Sequence, residues 1–179
     1  MATEKSILKW ELVGMGVIIV LGSLLHFAFD WAGRWPPVGS IAAVNESVWE
    51  HLKLGFWPAL AYAIVEYKYL KKVANNFPFA KTAGIYLIPI TIVVLYYSYT
   101  AIFGHGPLVV DILIFVVAVI VGQLVSYKLL VATPLPEKLN RLSLIALVLL
   151  GLSFILFTFY PPLLPIFRDS VTGAYGILR

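Results

Sequence analysis

The sequence from Leu108 to Leu130 reads LVVDILIFVVAVIVGQLVSYKLL, and two of its 23 residues, Asp111 and Lys128, are charged. A helix needs about 20 apolar residues to cross the hydrocarbon core of a bilayer. The apolar run is continuous rather than alternating, so it predicts a membrane-spanning helix and not a barrel strand. Four further runs of this kind lie on either side of it.

Together the five runs predict an all-α, polytopic integral membrane protein built as a five-helix bundle. The expected spans are 12–29, 54–70 with a helical lead-in from 45, 82–103, 108–130 and 142–160. The 179 residues are 61% hydrophobic and 12% charged, whereas soluble domains are about half apolar and about a quarter charged. We therefore expect one membrane domain, residues 1–179, with an outer tail at 161–179.

The distribution of lysine and arginine predicts the orientation. Five crossings put the termini on opposite sides, and nine basic residues fall on the amino-terminal side against four on the other. Because positive charge is enriched in cytoplasmic loops, the amino terminus is expected in the cytoplasm and the carboxyl terminus outside, in a multi-pass protein of the cell membrane. The basic residues flank the spans and form no interleaved patch, so the lipid bilayer, and not nucleic acid, is the expected partner.

All three histidines fall at the outer end of the predicted bundle, together with several carboxylates, whereas the inner end has carboxylates but no histidine. Imidazole and carboxylate groups are ligands for zinc and other divalent metals, and they also form acid–base pairs. The chain has no cysteine, which excludes thiolate metal sites and disulfides. The candidate metal ligands are His26, His51, His105, Asp111 and Glu46.

If the protein is an enzyme, the chemistry that fits these residues is metal-dependent hydrolysis in the membrane. A water activated by the metal would attack a lipid-linked substrate, and a spare carboxylate would act as base. The candidate catalytic residues are Glu46, Glu50 and Asp111.

Several of these residues also have a structural explanation. Ser47-x-x-Glu50 has the spacing of a helix capping box, in which Glu50 would carry no chemistry. Asp111 follows Pro107 in the first turn of a helix, where an anion is stabilised by the helix dipole. An aspartate among apolar residues nevertheless normally faces a partner or a water-filled cavity, so a pocket-lining role for Asp111 is the preferred interpretation.

Two further expectations concern the inner end and the tail. Glu66 is interpreted as a carboxylate that reaches the cytoplasmic interface beside Lys68 or Lys71. The tail from Pro161 is too apolar to extend into water, and we expect it to pack onto the outer face and cap the pocket there.

Two patches resemble a family of small multi-spanning prokaryotic membrane proteins of unknown function. The first is AVNESVWEHLKL at 43–54, and the second is PIFRDSVTGAYGI at 165–177, with the pattern P-x-F-x-D-x-x-T-G-x-Y-G-I. The pair His26-Phe27 fits as well. The resemblance implies no reaction, substrate or cofactor, but it suggests that the outer face is the distinctive surface of the family.

Two hypotheses therefore remain open. In the first, the outer end is a pocket for a divalent metal or a polar lipid headgroup. In the second, the chain is a non-enzymatic accessory or assembly subunit of a larger membrane complex, or a homo-oligomer, and the polar cluster only fixes the loops and the tail.

Overall fold

The computed structural model describes residues 2–104 and 106–177, and over these ranges the chain is helical and contains no strand. The prediction of an all-α chain is confirmed there. The helices are α1 (Ala2–Trp31), α2 (Pro36–Gly39), α3 (Val48–Leu70), α4 (Phe77–Phe103), α5 (Leu108–Leu130) and α6 (Glu137–Phe159). A short 3-10 turn at Pro165–Phe167 lies in the tail that follows α6.

Four helices of the described chain are long and apolar enough to cross a membrane, namely α1 from Glu4 onward, α4, α5 and α6. Helix α3 has 23 residues but does not belong to this group. Its charged residues lower its hydropathy, and three of them, Glu50, Lys53 and Glu66, are buried in the bundle. Composition therefore supports four spans in the described chain, whereas the sequence predicted five.

Helices α4 and α5 are in backbone contact. A Cβ placed on Gly84 would lie 2.7 Å from the carbonyl oxygen of Gly122, and one placed on Gly122 would lie 2.6 Å from the carbonyl oxygen of Gly84. Small residues allow helices in membranes to approach this closely, and the close approach provides van der Waals attraction along the whole pair. Helix α1 packs against α3 and α5, and α6 packs against α4.

The burial pattern differs from that of a water-soluble protein in two respects. Charged side chains such as Lys53 and Glu66 are fully buried, whereas α6 exposes apolar residues such as Val148 and Leu149, each at 60%. Exposed apolar surface on this scale would be unfavourable in water but is expected against lipid tails. The described helices are thus compatible with a membrane protein.

Candidate functional site

Two histidines from different helices meet at the end of the bundle that the sequence predicts to be the outer one. His26 lies in the last two turns of α1 and His51 in the first turn of α3, and their Nε2 atoms are 3.2 Å apart. One turn earlier on α1, a Cβ on Gly22 would lie 2.5 Å from the carbonyl oxygen of Leu54. The absence of a side chain at Gly22 therefore lets the two helices approach closely enough to pair the imidazoles.

Glu46 completes this group from the turn that precedes α3. Its Oε2 atom is 3.3 Å from Nε2 of His51 and 3.7 Å from Nε2 of His26. The candidate ligand atoms of the three residues all lie within 4.8 Å of one another, which is close enough to hold a metal ion. We call His26, Glu46 and His51 the outer cluster.

The tautomer of His51 follows from its second ring nitrogen. Nδ1 lies 2.8 Å from the carbonyl oxygen of Ser47. A carbonyl can only accept a hydrogen bond, so Nδ1 carries the proton, and in the neutral ring Nε2 has a free lone pair directed at the cluster. In metal sites, the ring nitrogen of a histidine that does not bind the metal usually donates a hydrogen bond to a group such as a backbone carbonyl, which fixes the ring in this way.

The charges within the outer cluster support one another. Hydrogen bonds from His26 and His51 hold the pKa of the Glu46 carboxyl well below its ordinary value of 4.5. Burial lowers the pKa of the His51 imidazole, but the hydrogen bonds to Glu46 and to the Ser47 carbonyl outweigh it and raise that pKa above 6.5 overall. Without a metal, the cluster therefore favours an ionised carboxylate beside a protonated imidazole.

Short hydrogen bonds fix the turn that carries Glu46. The backbone N–H of Ser47 donates to Oδ1 of Asn45, and Nδ2 of Asn45 donates to the carbonyl oxygen of Gly176 in the tail at 2.8 Å. The Ser170 hydroxyl donates to the carbonyl oxygen of Glu46 at 3.0 Å. The tail therefore contacts this turn at Asn45 and at Glu46 itself.

Glu50 lies apart from the outer cluster, although sequence analysis proposed it as a cap or a catalytic carboxylate. Ser47 does cap α3, since its Oγ accepts from the Glu50 N–H at 3.4 Å. The Glu50 carboxylate is buried, however, where it accepts from the Val44 N–H and contacts Nζ of Lys53 at 2.5 Å. Thr158 of α6 donates to its other oxygen. This carboxylate is thus one half of a buried ion pair.

Asp111 shares a cavity with the outer cluster. The cavity has a volume of about 250 Å³, and its polar lining includes Asp111, His26, Glu46 and His51. Its remaining walls are largely apolar side chains of α3, α4 and α5, including Ile92 and Phe115. Of the predicted ligands, the structure therefore brings three into contact and places a fourth, Asp111, around the same cavity.

Two further carboxylates near this end, Asp30 and Asp169, are not members of the outer cluster. His105, predicted as a metal ligand, falls outside the described residues. Asp30 is exposed at the end of α1, and Asp169 is buried in the tail, where it accepts from the Val171 N–H and the Thr172 hydroxyl. Asp169 thus holds a turn of the tail together.

A wider groove of about 700 Å³ adjoins the cavity and shares Glu46 and Tyr96 with it. One side is formed by Tyr96, Tyr97 and Thr100 of α4, and the other by tail residues 168–173. The expected packing of the tail onto the outer face is therefore seen as contacts with the turn before α3 and as one wall of this groove.

A second cluster of charges was not predicted from the sequence, and the interpretation of Glu66 as an interfacial carboxylate is wrong. Glu66 is fully buried rather than at an interface, and its Oε2 lies 2.5 Å from Nζ of Lys81. Lys81 in turn contacts Oε1 of Glu11, also at 2.5 Å. The three residues come from α1, α3 and α4, and the one signal in the sequence was the presence of charges within or beside apolar runs.

Comparison with known proteins identifies one relationship. Residues 1–177 match the Family of unknown function (DUF6512). No curated protein and no solved structure matches the chain.

Proposed function

Since the chain belongs to this family of unknown function, its role must be argued from its own residues, and we propose that it is an integral membrane protein that binds a divalent metal ion at the outer cluster. The observation that carries the proposal is the convergence of Nε2 of His26, Nε2 of His51 and Oε2 of Glu46. This donor set suits zinc or ferrous iron.

The dimensions of the cluster support a zinc-type site. Ligand atoms at 2.0–2.2 Å from a tetrahedral Zn²⁺ lie about 3.3–3.6 Å from one another. The three separations in the outer cluster are 3.2, 3.3 and 3.7 Å. A metal ion could therefore bind at the centre of this triangle with small side-chain adjustments.

The donor types also favour a transition metal over calcium or magnesium. Ca²⁺ and Mg²⁺ prefer oxygen ligands, whereas two imidazoles and one carboxylate suit Zn²⁺ or Fe²⁺. Three protein ligands leave a coordination position open, which is typical of catalytic rather than structural zinc sites. Asp111 lies on the wall of the same cavity, where we place it beside a bound substrate.

The surroundings of the cluster favour a lipid with a polar headgroup as its ligand. Below the cluster the cavity is lined by apolar side chains, and beside it the groove offers the polar side chains of Thr100, Arg168 and Ser170. An amphipathic molecule would place its headgroup near the metal and an acyl segment along the apolar wall. Hydrolysis of a lipid-linked substrate is the reaction class that this arrangement would serve.

Five crossings, with the amino terminus in the cytoplasm, remain our proposed topology. Helix α3 contacts α1, α4 and α6, so it lies among the four apolar spans. Its buried charges are paired with protein groups and not with lipid. Lys53 and Lys81 are buried and cannot act as interfacial anchors. Without them, eight basic residues on the amino-terminal side face three on the other, so the positive-inside bias persists.

One observation favours a second, non-enzymatic function. The Asn45–Gly176 and Ser170–Glu46 hydrogen bonds fasten the tail to the turn that carries Glu46, so the cluster could serve to shape an outer face for a partner protein. In that case the protein would be an accessory or assembly subunit. Stable copurification with a larger membrane protein, together with a metal-free cluster, would favour this alternative.

Metal analysis of the purified protein tests the proposal. Protein prepared in detergent without chelators should contain close to one equivalent of zinc or iron, and both His26→Ala and His51→Ala should lose it. Glu137→Gln, which changes an exposed carboxylate on α6, is the control and should retain the metal. Unchanged metal content in both histidine variants, with the variants eluting as folded protein, would refute the metal site.

A further inference from the structure

A second ionic cluster lies toward the opposite end of the bundle. Glu11 of α1, Glu66 of α3 and Lys81 of α4 meet there, with Nζ of Lys81 2.5 Å from a carboxylate oxygen of each glutamate. The three residues are between 0% and 4% exposed. Glu11 and His26 are 15 residues apart on α1, which separates this cluster from the outer one by about 22 Å along the helix axis.

The hydrogen bonds around this cluster are incomplete. Oε1 of Glu11 accepts from the Lys81 ammonium and from the Ser126 hydroxyl of α5 at 2.9 Å. In contrast, Oε2 of Glu11 and both carboxylate oxygens of Glu66 are buried without a hydrogen-bond partner among the described residues, and of these three only Oε2 of Glu66 is in contact with the Lys81 ammonium. The nearby Tyr62 hydroxyl donates instead to the carbonyl oxygen of Trp10 at 2.7 Å. Two carboxylate oxygens therefore lack a donor in an environment without water contact.

The charges are unbalanced as well. The groups that face the cluster are Glu11 from α1, Glu66 and Tyr62 from α3, Lys81 from α4, and the uncharged Ser126 and Gln123 from α5. Two carboxylates and one ammonium carry a net charge of −1 when all three are ionised. A buried charge without a counter-ion is strongly unfavourable, and two neighbouring carboxylates disfavour ionisation of both.

The buried pair at the other end of α3 shows what a balanced cluster looks like in this fold. Glu50 and Lys53 match one carboxylate to one ammonium. Both oxygens of Glu50 accept hydrogen bonds, and Lys53 also donates to the Gly39 carbonyl and to Thr158. The cluster of Glu11, Glu66 and Lys81 differs from this pair by one unmatched carboxylate and by two buried oxygens without donors.

We propose that Glu11, Glu66 and Lys81 form a proton-binding site that holds one exchangeable proton, shared by the two carboxylates. Binding of H⁺ converts one carboxylate into a carboxylic acid and brings the cluster to zero net charge, and its release restores the charge of −1. The bound proton also supplies the missing donor, because an O–H group can bond to a neighbouring carboxylate oxygen. Buried carboxylates of this kind are used as proton relays in membrane proteins.

A proton fits the cluster better than a sodium ion does. The Lys81 ammonium already lies between the two carboxylates, where a metal cation would have to bind. A proton adds no volume and leaves this contact in place. The site is independent of the metal proposed for the outer cluster, so either assignment can fail without the other.

Infrared spectroscopy of the full chain in lipid tests whether this cluster holds a proton. At neutral pH the wild-type protein should show the carbonyl stretch of an un-ionised carboxylic acid, which shifts on ¹³C-glutamate labelling and on transfer to D₂O. Glu11→Gln and Glu66→Gln should each abolish the band, because the remaining carboxylate is then matched to Lys81. Lys81→Met should about double the band, because both acids then become neutral.

Glu137→Gln is the control and should leave the band unchanged, since Glu137 is exposed and paired with Arg141. The labelling and D₂O measurements need the wild-type protein alone, so they can refute the proposal even if a variant does not fold. Absence of the band from the wild type would overturn the proposal. Persistence of the band in both glutamine variants would overturn it too, because the proton would then reside elsewhere.

Discussion

The Nε2 atoms of His26 and His51 lie 3.2 Å apart although 25 residues separate them in the chain. Two imidazole nitrogens this close require a shared proton, or a cation that both lone pairs contact. The nearby carboxylate oxygen of Glu46 is compatible both with a shared proton and with a bound cation. The protonated state and the metal-bound state of this cluster therefore compete, and they respond to pH in opposite directions.

Without metal, the protein should resist unfolding better near pH 6 than near pH 9. The raised pKa of His51 gives a stabilisation that is fully present below pH 6.5 and is lost as the pH rises through the raised value. The lowered pKa of Glu46 gives a second stabilisation of the folded protein. This stabilisation is present above pH 4.5 and is lost as the pH falls through the lowered pKa of Glu46. Both contributions are present between these limits. Thermal unfolding of chelator-treated protein measures the difference, which Glu46→Gln should remove and Glu137→Gln should not.

With zinc present, the dependence on pH should reverse. A metal binds the unprotonated imidazole, so zinc affinity should rise as the pH increases from 6 to 8. At a free zinc concentration 100 times the Kd, binding adds about 2.7 kcal/mol to stability. The zinc-induced shift of the unfolding temperature should therefore be larger at pH 8 than at pH 6 and should be absent from His51→Ala. A zinc shift that is the same in His51→Ala and in the wild type would contradict the site.

Lys53→Met should destabilise the protein severely, by about 3–5 kcal/mol, because it leaves the Glu50 carboxylate buried without its counter-ion. The double variant Glu50→Gln/Lys53→Met should recover much of this loss. Arg141→Gln removes one partner of an exposed ion pair and should cost less than about 0.5 kcal/mol. Unfolding in detergent, followed by circular dichroism, ranks the three variants. A double variant no more stable than Lys53→Met would show that burial of charge is not the cause.

Gly84→Ala should also destabilise the fold, by about 1–3 kcal/mol, because the added methyl group would lie 2.7 Å from the Gly122 carbonyl oxygen and push α4 away from α5. Gly16→Ala is the matched control. Nothing lies within 4 Å of a Cβ at Gly16, so this change should stabilise α1 by up to about 1 kcal/mol. The same unfolding assay compares them, and equal effects of the two substitutions would argue against the close contact.

Asn45→Ala should loosen the tail. It removes the hydrogen bond to the Gly176 carbonyl that joins the tail to the turn before α3. Hydrogen–deuterium exchange should then become faster for the amides of 169–176, whereas α5 should exchange at an unchanged rate. Tail amides that already exchange in the wild type as fast as those of an unfolded peptide would contradict the packing of the tail onto the outer face.

The helices were largely predictable because a long apolar run carries its own signal. The structure adds turns that the hydropathy pattern excludes, such as the polar start of α1 before the predicted span at 12–29. Helix α3 was harder to interpret because four charged residues interrupt its apolar pattern. Glu50 and Lys53 neutralise each other within α3, and Glu66 contacts Lys81 of α4. A hydropathy scale scores each residue alone and registers neither pairing.

Counting the predicted membrane crossings placed the histidines and several carboxylates at one end of the bundle. It did not predict which of these side chains are in contact with one another. His26 and His51 pair because Gly22 allows α1 and α3 to touch, a tertiary contact that neither local sequence encodes. Spacing rules within one helix cannot find Glu11, Glu66 and Lys81 either, since the three lie on three helices. The sequence therefore predicted which end of the bundle carries the histidines, and the packing of the helices determines which side chains are in contact.

The placement of Lys81 has a consequence for biosynthesis. Glu50 and Lys53 are three residues apart, so α3 can neutralise that end of itself as soon as it becomes helical. Glu66 receives its counter-ion from a residue that the ribosome adds 15 positions later. The Glu66 carboxylate therefore meets Lys81 only after α4 has begun to emerge, so we expect α3 and α4 to be stabilised together and not one after the other.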